Sequence, residues 1–187
     1  LAELKAINNA TTGAITLAVQ TANLSGSAAD ILAAFKGIKS YATGDITVDG
    51  TDYKLADLKA INAITDGALT VTTSTVALTG TAKDLVAALD GVTTYAGKVT
   101  VTGSYIVDDL KDINTAVTGD VVLTNKKVAL TGKIADIEAA LFGISDYAGA
   151  IKLTDVPADT TELVTIAAKT KGKITLPANG HIDLEGT

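Results

Sequence analysis

Apolar and polar positions along this chain recur in a fixed rhythm. The phrase LADLKAIN at Leu55–Asn62 returns as LAELKAIN at Leu1–Asn8, as VDDLKDIN at Val107–Asn114 and, worn, as TELVTIA at Thr161–Ala167. Its apolar residues stand three apart, as in Leu55, Leu58 and Ile61. A second phrase alternates with it: SAADILAAF from Ser27, TAKDLVAAL from Thr81 and KIADIEAAL from Lys133. Here the apolar positions are Ile31, Ala34 and Phe35, then Leu85, Ala88 and Leu89, then Ile137, Ala140 and Leu141. Both spacings lay a single apolar stripe along a short helix.

The anchors Leu4, Ile31, Leu58, Leu85, Leu110, Ile137 and Leu163 are separated by 27, 27, 27, 25, 27 and 26 residues. An acid precedes each: Glu3, Asp30, Asp57, Asp84, Asp109, Asp136 and Glu162. After each helix comes an apolar–x–apolar triplet: Ile15-Thr16-Leu17, Ile46-Thr47-Val48, Leu69-Thr70-Val71, Val99-Thr100-Val101, Val121-Val122-Leu123, Ile151-Lys152-Leu153 and Ile174-Thr175-Leu176. Period two over β-branched residues predicts strands with one buried face. The distance from anchor to triplet alternates 11, 15, 11, 14, 11, 14, 11, so there are two kinds of unit. Further apolar stretches at Ala22–Gly26, Val76–Gly80 and Val128–Gly132 suit either a strand or a corner.

A period of this length marks a repeat architecture. The expected fold is an α/β solenoid of seven helix–strand coils, of two alternating types, sharing a parallel sheet through right-handed crossovers. It spans residues 1–187 as a single array, with 177–187 either starting a further coil or forming a terminal cap. Strands stack about 4.8 Å apart and helices about 8–10 Å, so helices kept to one side would curve the stack.

The recurrent acids read first as helix caps. Ser27 with Asp30 and Thr81 with Asp84 have the spacing of capping boxes, and Asp159 with Glu162 is a looser version. Asn8, Asn62 and Asn114 close the first kind of helix, where Asn suits a left-handed C-cap.

Composition narrows the chemistry. The chain is 47% hydrophobic but only 4% aromatic, with no Cys, Met or Trp, so thiol catalysis, disulfides and thiolate metal sites are out. The lack of Met predicts a processed chain or an excerpt of a longer one. A net charge of −6 leaves no basic face for nucleic acid, and the absence of an 18-residue apolar run argues against membrane insertion. The single histidine, His181, would have to carry any His-based catalysis and stands in a turn after Ala178-Asn179-Gly180, without a nucleophile motif.

Calcium is the candidate metal, with Asp45, Asp49 and Asp52 in DITVDGTD as its candidate ligands, although Asp-Gly is also an ordinary turn. Tyr41, Tyr95 and Tyr147 recur at one place in the repeat, and Tyr53 and Tyr105 form a shorter series. Such a ladder is either a sugar-stacking platform or a core edge with bonded hydroxyls. Thr16, Thr47, Thr70, Thr100 and Thr175 would form an outward row, the kind of array that can meet ice or mineral, but Val122 and Lys152 interrupt it.

The wording LKAIN-x-ATTG-x-ITL, LSGSAADILAAF-x-GI and YATGDITV resembles degenerate repeats of very large cell-surface and secreted proteins of cyanobacteria and other aquatic bacteria. Similar repeats occur in fibre-like structural proteins of their phages. The resemblance runs from Leu1 to about Leu176. It implies an extracellular or cell-surface setting, or alternatively a virion surface. The implied role is a non-enzymatic structural segment of a surface layer, filament or adhesin, whose partners are neighbouring repeats or copies of the same chain. A glycan- or calcium-binding module is the alternative.

Overall fold

The computed structural model describes residues 1–38, 43–92 and 94–178. Among them, helices and short strands follow in the order α1 (Ala2–Ala10), β1 (Leu24–Gly26), α2 (Ala28–Phe35), β2 (Ile46–Val48), α3 (Leu55–Asn62), β3 (Leu69–Val71), β4 (Leu78–Thr81), α4 (Ala82–Leu89) and β5 (Val99–Thr102). They continue as α5 (Val107–Ala116), β6 (Val121–Leu123), β7 (Leu130–Gly132), α6 (Ile134–Ala140), β8 (Ile151–Leu153), α7 (Thr160–Lys169) and β9 (Ile174–Thr175). The protein is a mixed α/β fold with three open, three-stranded parallel sheets, ordered β1-β2-β3, β4-β5-β6 and β7-β8-β9.

Local chemistry sets the helix starts. The Ser27 hydroxyl accepts the Asp30 N–H at 3.1 Å and Thr81 accepts that of Asp84 at 3.2 Å, each satisfying an otherwise unpaired first-turn donor. Asp159 caps α7 through the N–H groups of Thr161 and Glu162. At α3 the acid turns back instead, and Asp57 accepts the Lys54 N–H at 2.8 Å. The turns after α2, α4 and α6 need a left-handed residue, and glycine supplies it at Gly37, Gly91 and Gly143.

Each helix packs on the next along the chain. The anchors Ile31, Leu58, Leu85, Leu110 and Ile137 are completely buried, as are the inward strand residues Ile46, Val48, Val99, Val101 and Ile151. They form one continuous apolar core between the helices and the sheets.

Three expectations change. The stretches left open between strand and corner contain β1, β4 and β7, each the first strand of a sheet. Alternate units therefore hold two strands, and three strands accompany every two helices. That extra strand reduces the spacing mismatch between strands at about 4.8 Å and helices at about 8–10 Å. Second, Ile15-Thr16-Leu17 is not a strand. Its counterparts β3, β6 and β9 pair with β2, β5 and β8, and no described strand lies beside it. Third, Asn8, Asn62 and Asn114 are not left-handed. Among the described residues only Asp146 has a positive φ without being glycine.

Candidate functional site: the joints between helices

The asparagines act across joints. Asn8 donates its side-chain amide to the carbonyls of Ala33 at 2.9 Å and Ala34 at 3.1 Å. Asn62 reaches Ala87 and Asp90, both at 3.0 Å, and Asn114 reaches Ala139 at 3.0 Å and Ala140 at 2.8 Å. These carbonyls lie in or just after the last turn of the next helix, where the intrahelical ladder runs out of donors.

A lysine one turn earlier reinforces each joint. Lys5 pairs with Asp30, Lys59 with Asp84, and Lys111 with Asp136 at 2.7 Å. The Lys5 ammonium, followed by the Ser27 hydroxyl, holds the Asp30 carboxyl below the usual carboxylate range. Lys59 and Thr81 do the same for Asp84, and Lys111 for Asp136. Asp136 in turn raises Lys111. These pairs are solvent-exposed, so each contributes little alone. Their value is register, because α1, α3 and α5 each meet the following second-kind helix in the same way.

This clamp of Lys and Asn spans α1–α2, α3–α4 and α5–α6. The breaks between sheets fall at two of those joints, since β3 and β4 both lie between α3 and α4, and β6 and β7 between α5 and α6. The joints without the clamp, α2–α3, α4–α5 and α6–α7, are each crossed by an unbroken sheet. Clamps and sheets are thus staggered like courses of brick.

Tyrosines brace the corners at the sheet breaks. Tyr53 donates its hydroxyl to the Thr73 carbonyl at 2.7 Å and Tyr95 to the Val76 carbonyl at 2.6 Å, with the two hydroxyls 3.2 Å apart. Tyr105 bonds the Asn125 carbonyl at 2.5 Å and Tyr147 the Val128 carbonyl, repeating the bracket one corner later. Burial, above all, raises the pKa of Tyr95, Tyr105 and Tyr147. Tyr95 and Tyr147 are fully buried, so neither ring offers a face to a sugar. Of the two ladder readings, their geometry is that of the bonded core edge.

Tyr41 and His181 lie outside the described residues. Asp45, Asp49 and Asp52 are exposed and are not gathered. Asp45 and Asp49 flank the extended strand β2, and four residues of extended chain separate groups by about 13 Å, too far to share one cation. Asp45 accepts the Ala68 N–H at 2.9 Å, which ties β2 to the turn before β3. Among the described residues, no three His, Cys, Asp or Glu side chains are grouped to hold a metal. An open cleft of about 520 Å³ at the α3–α4 joint gathers Lys59, Asn62, Asp66 and Asp90, but Lys59 and Asn62 are the clamp itself. Of the outward row, Thr47 and Thr70 stand adjacent across the first sheet, whereas Thr100 neighbours Val122, Thr175 neighbours Lys152 and Thr16 lies outside any described strand.

Sequence reasoning found the acids and missed their partners. The signal was present: Lys and Asn recur at one and four residues after Leu4, Leu58 and Leu110, on the helix face directed at the next unit. No helix among the described residues is long and apolar enough to cross a membrane. No protein-family model matches the chain, and no curated protein or solved structure is significantly similar to it.

Proposed function

We propose that this chain is a structural segment, an α/β solenoid of seven coils that serves as a spacer in an extracellular surface layer, filament or adhesin stalk. The observation that carries this reading is the staggering of clamps and sheets. From α1 to α7, each pair of successive helices is joined either by a Lys–Asp pair with an Asn bridge or by two neighbouring strands paired in the accompanying sheet. That arrangement suits a load-bearing rod, in which each coil depends on its neighbours. The repeat wording supports a cell-surface or virion setting, and the charge of −6 keeps a long array soluble.

Small-angle scattering from the isolated chain tests the reading. A monomer longer than it is wide, with a rod-like cross-section, is expected. A compact monomer with the radius of gyration of a globule of this length would overturn it.

A further inference from the structure

One side of the three sheets packs on the core, and the other faces solvent. The ladders reach one residue beyond the short strands. The Asp45, Lys98 and Lys173 carbonyls accept the N–H groups of Leu24, Leu78 and Ile151. The N–H groups of Asp49, Thr72 and Thr154 donate to the carbonyls of Gly26, Val48 and Gly132. Alternation along each strand therefore sets three outward rows side by side. A central row passes through Thr47, Thr100 and Lys152, with one row before it and one after.

Charge on this face is sorted by sheet. Over β1-β2-β3 it carries Asp45 and Asp49 and no cation. Over β7-β8-β9 it carries Lys133, Lys152 and Lys173 and no anion. The middle sheet holds Lys98 beside Asp120 and is balanced. None of these side chains is in an ion pair among the described residues. Most of the remaining outward residues are Ser, Thr or Ala, and no aromatic ring stands among them. The face is smooth, with one acidic end and one basic end.

Such a surface complements itself in one orientation. A twofold axis along β5 turns the order of the sheets end for end and keeps each row on its own kind. Asp45 then lies opposite the gap between Lys152 and Lys173 of a second copy, and Asp49 opposite the gap between Lys152 and Lys133. Each offset is one strand spacing, about 4.8 Å, which a lysine side chain spans. Lys98 falls beside Asp120 in the same way. An axis across the strands would instead set Asp45 on Asp49, which like-charge repulsion opposes. Nine strands at about 4.8 Å and five ladder residues at about 3.3 Å outline about 700 Å². Pairing would cover about 1,400 Å² in all, within the range of specific interfaces.

We propose that this face is an interface between two copies of the chain, packed sheet to sheet about a twofold axis along β5. The acidic first sheet of each copy lies on the basic third sheet of the other. The proposal goes beyond the spacer reading but rests on its repeat geometry, in which the three sheets share one side of the core. The interface is isologous and mostly polar, so its strength depends on ionic strength.

Sedimentation equilibrium of the full chain is the test. A reversible dimer is expected at low salt, dissociating at about 1 M salt, where the Debye length is about 3 Å. Asp49 and Lys152 are exposed and belong to neither the clamps nor the Tyr braces, so reversing them leaves the fold intact, as circular dichroism would check. Asp49→Lys and Lys152→Glu should each weaken pairing by at least about tenfold. Both changes in one chain should pair more tightly than either alone. The chain has no Cys, so Thr100→Cys places a single thiol near the axis. A bis-maleimide spanning about 10 Å, the separation of facing sheets, should join two copies there. Asp112→Cys, on the helical side, should not be joined. A chain that stays monomeric at low salt, a dimer indifferent to salt and to both reversals, or equal cross-linking at the two positions would overturn the proposal. An elongated monomer that does not pair leaves the spacer reading standing, whereas a compact monomer removes that reading as well.

Discussion

Helices α1 and α3 carry nearly the same eight residues, LAELKAIN and LADLKAIN, differing only at Glu3 and Asp57. In α3, Leu58 and Ile61 are completely buried, whereas α1 has no buried residue. Identical apolar stripes therefore give opposite degrees of burial. The core of this protein is made between units rather than within one, and a unit's stability depends on who sits on its incoming face.

The sharpest way to break that comparison is to change the paired glycines. Gly67→Val drives a side chain into the Gly44 carbonyl, and an overpacked backbone contact of this kind should cost about 3 kcal/mol or more. Gly13→Val meets open ground and should stay within about 0.5 kcal/mol of the parent. Urea denaturation of both variants checks this, and equal effects would mean that the incoming face of α1 is already occupied in solution.

The isoleucines come next. Ile61→Ala removes a fully buried side chain and should cost about 2–5 kcal/mol, while Ile7→Ala should cost about 1 kcal/mol or less. Thermal unfolding resolves a difference of that size. A comparable loss at Ile7 would show that the half-exposed stripe of α1 still contributes a core of its own.

These contrasts also mark how far the sequence could be read. Periodicity placed all seven helices and six of the seven triplet strands, and the acid spacing located the caps at Ser27, Thr81 and Asp159, because those signals lie within one turn or one strand. It could not decide on β1, β4 and β7, since a three-residue apolar stretch becomes a strand only when a neighbour offers it hydrogen bonds. Ile15–Leu17 failed for the converse reason, having the pattern and lacking the neighbour. The asparagines were misread because their partners, Ala33, Ala87 and Ala139, lie 25 residues on, outside any local window. For Tyr95 and Tyr147 the sequence favoured the bonded core edge over a platform, and their complete burial separates the two. The joint itself was half legible, with its Asp side visible as a cap and its Lys side hidden on the previous helix.

The outgoing face sharpens the comparison by removing the difference. Asn8 and Asn62 each donate to two carbonyls of the following helix. Asn8→Ala and Asn62→Ala should therefore cost the same, about 1 kcal/mol each for a net loss of side-chain to backbone hydrogen bonding. Unequal losses in chemical denaturation would mean that the incoming gap at α1 also loosens its outgoing clamp.

The smallest expected effect is electrostatic. Asp30 and Asp84 both have lowered pKa values, chiefly through their lysines and then through Ser27 and Thr81. A carboxyl whose pKa is lower in the folded than in the unfolded chain stabilises the fold above its unfolded value of about 4, and that contribution fades as pH falls through the folded value. Stability should therefore decline on acidification below about pH 4. Asp30→Asn and Asp84→Asn should each flatten that acid limb to the same small extent, and high salt should shrink both effects, as expected for exposed pairs. If Asp84→Asn flattens the limb and Asp30→Asn does not, the clamp at α1–α2 is weaker than its geometry, and the first coil is loosened on both faces rather than one.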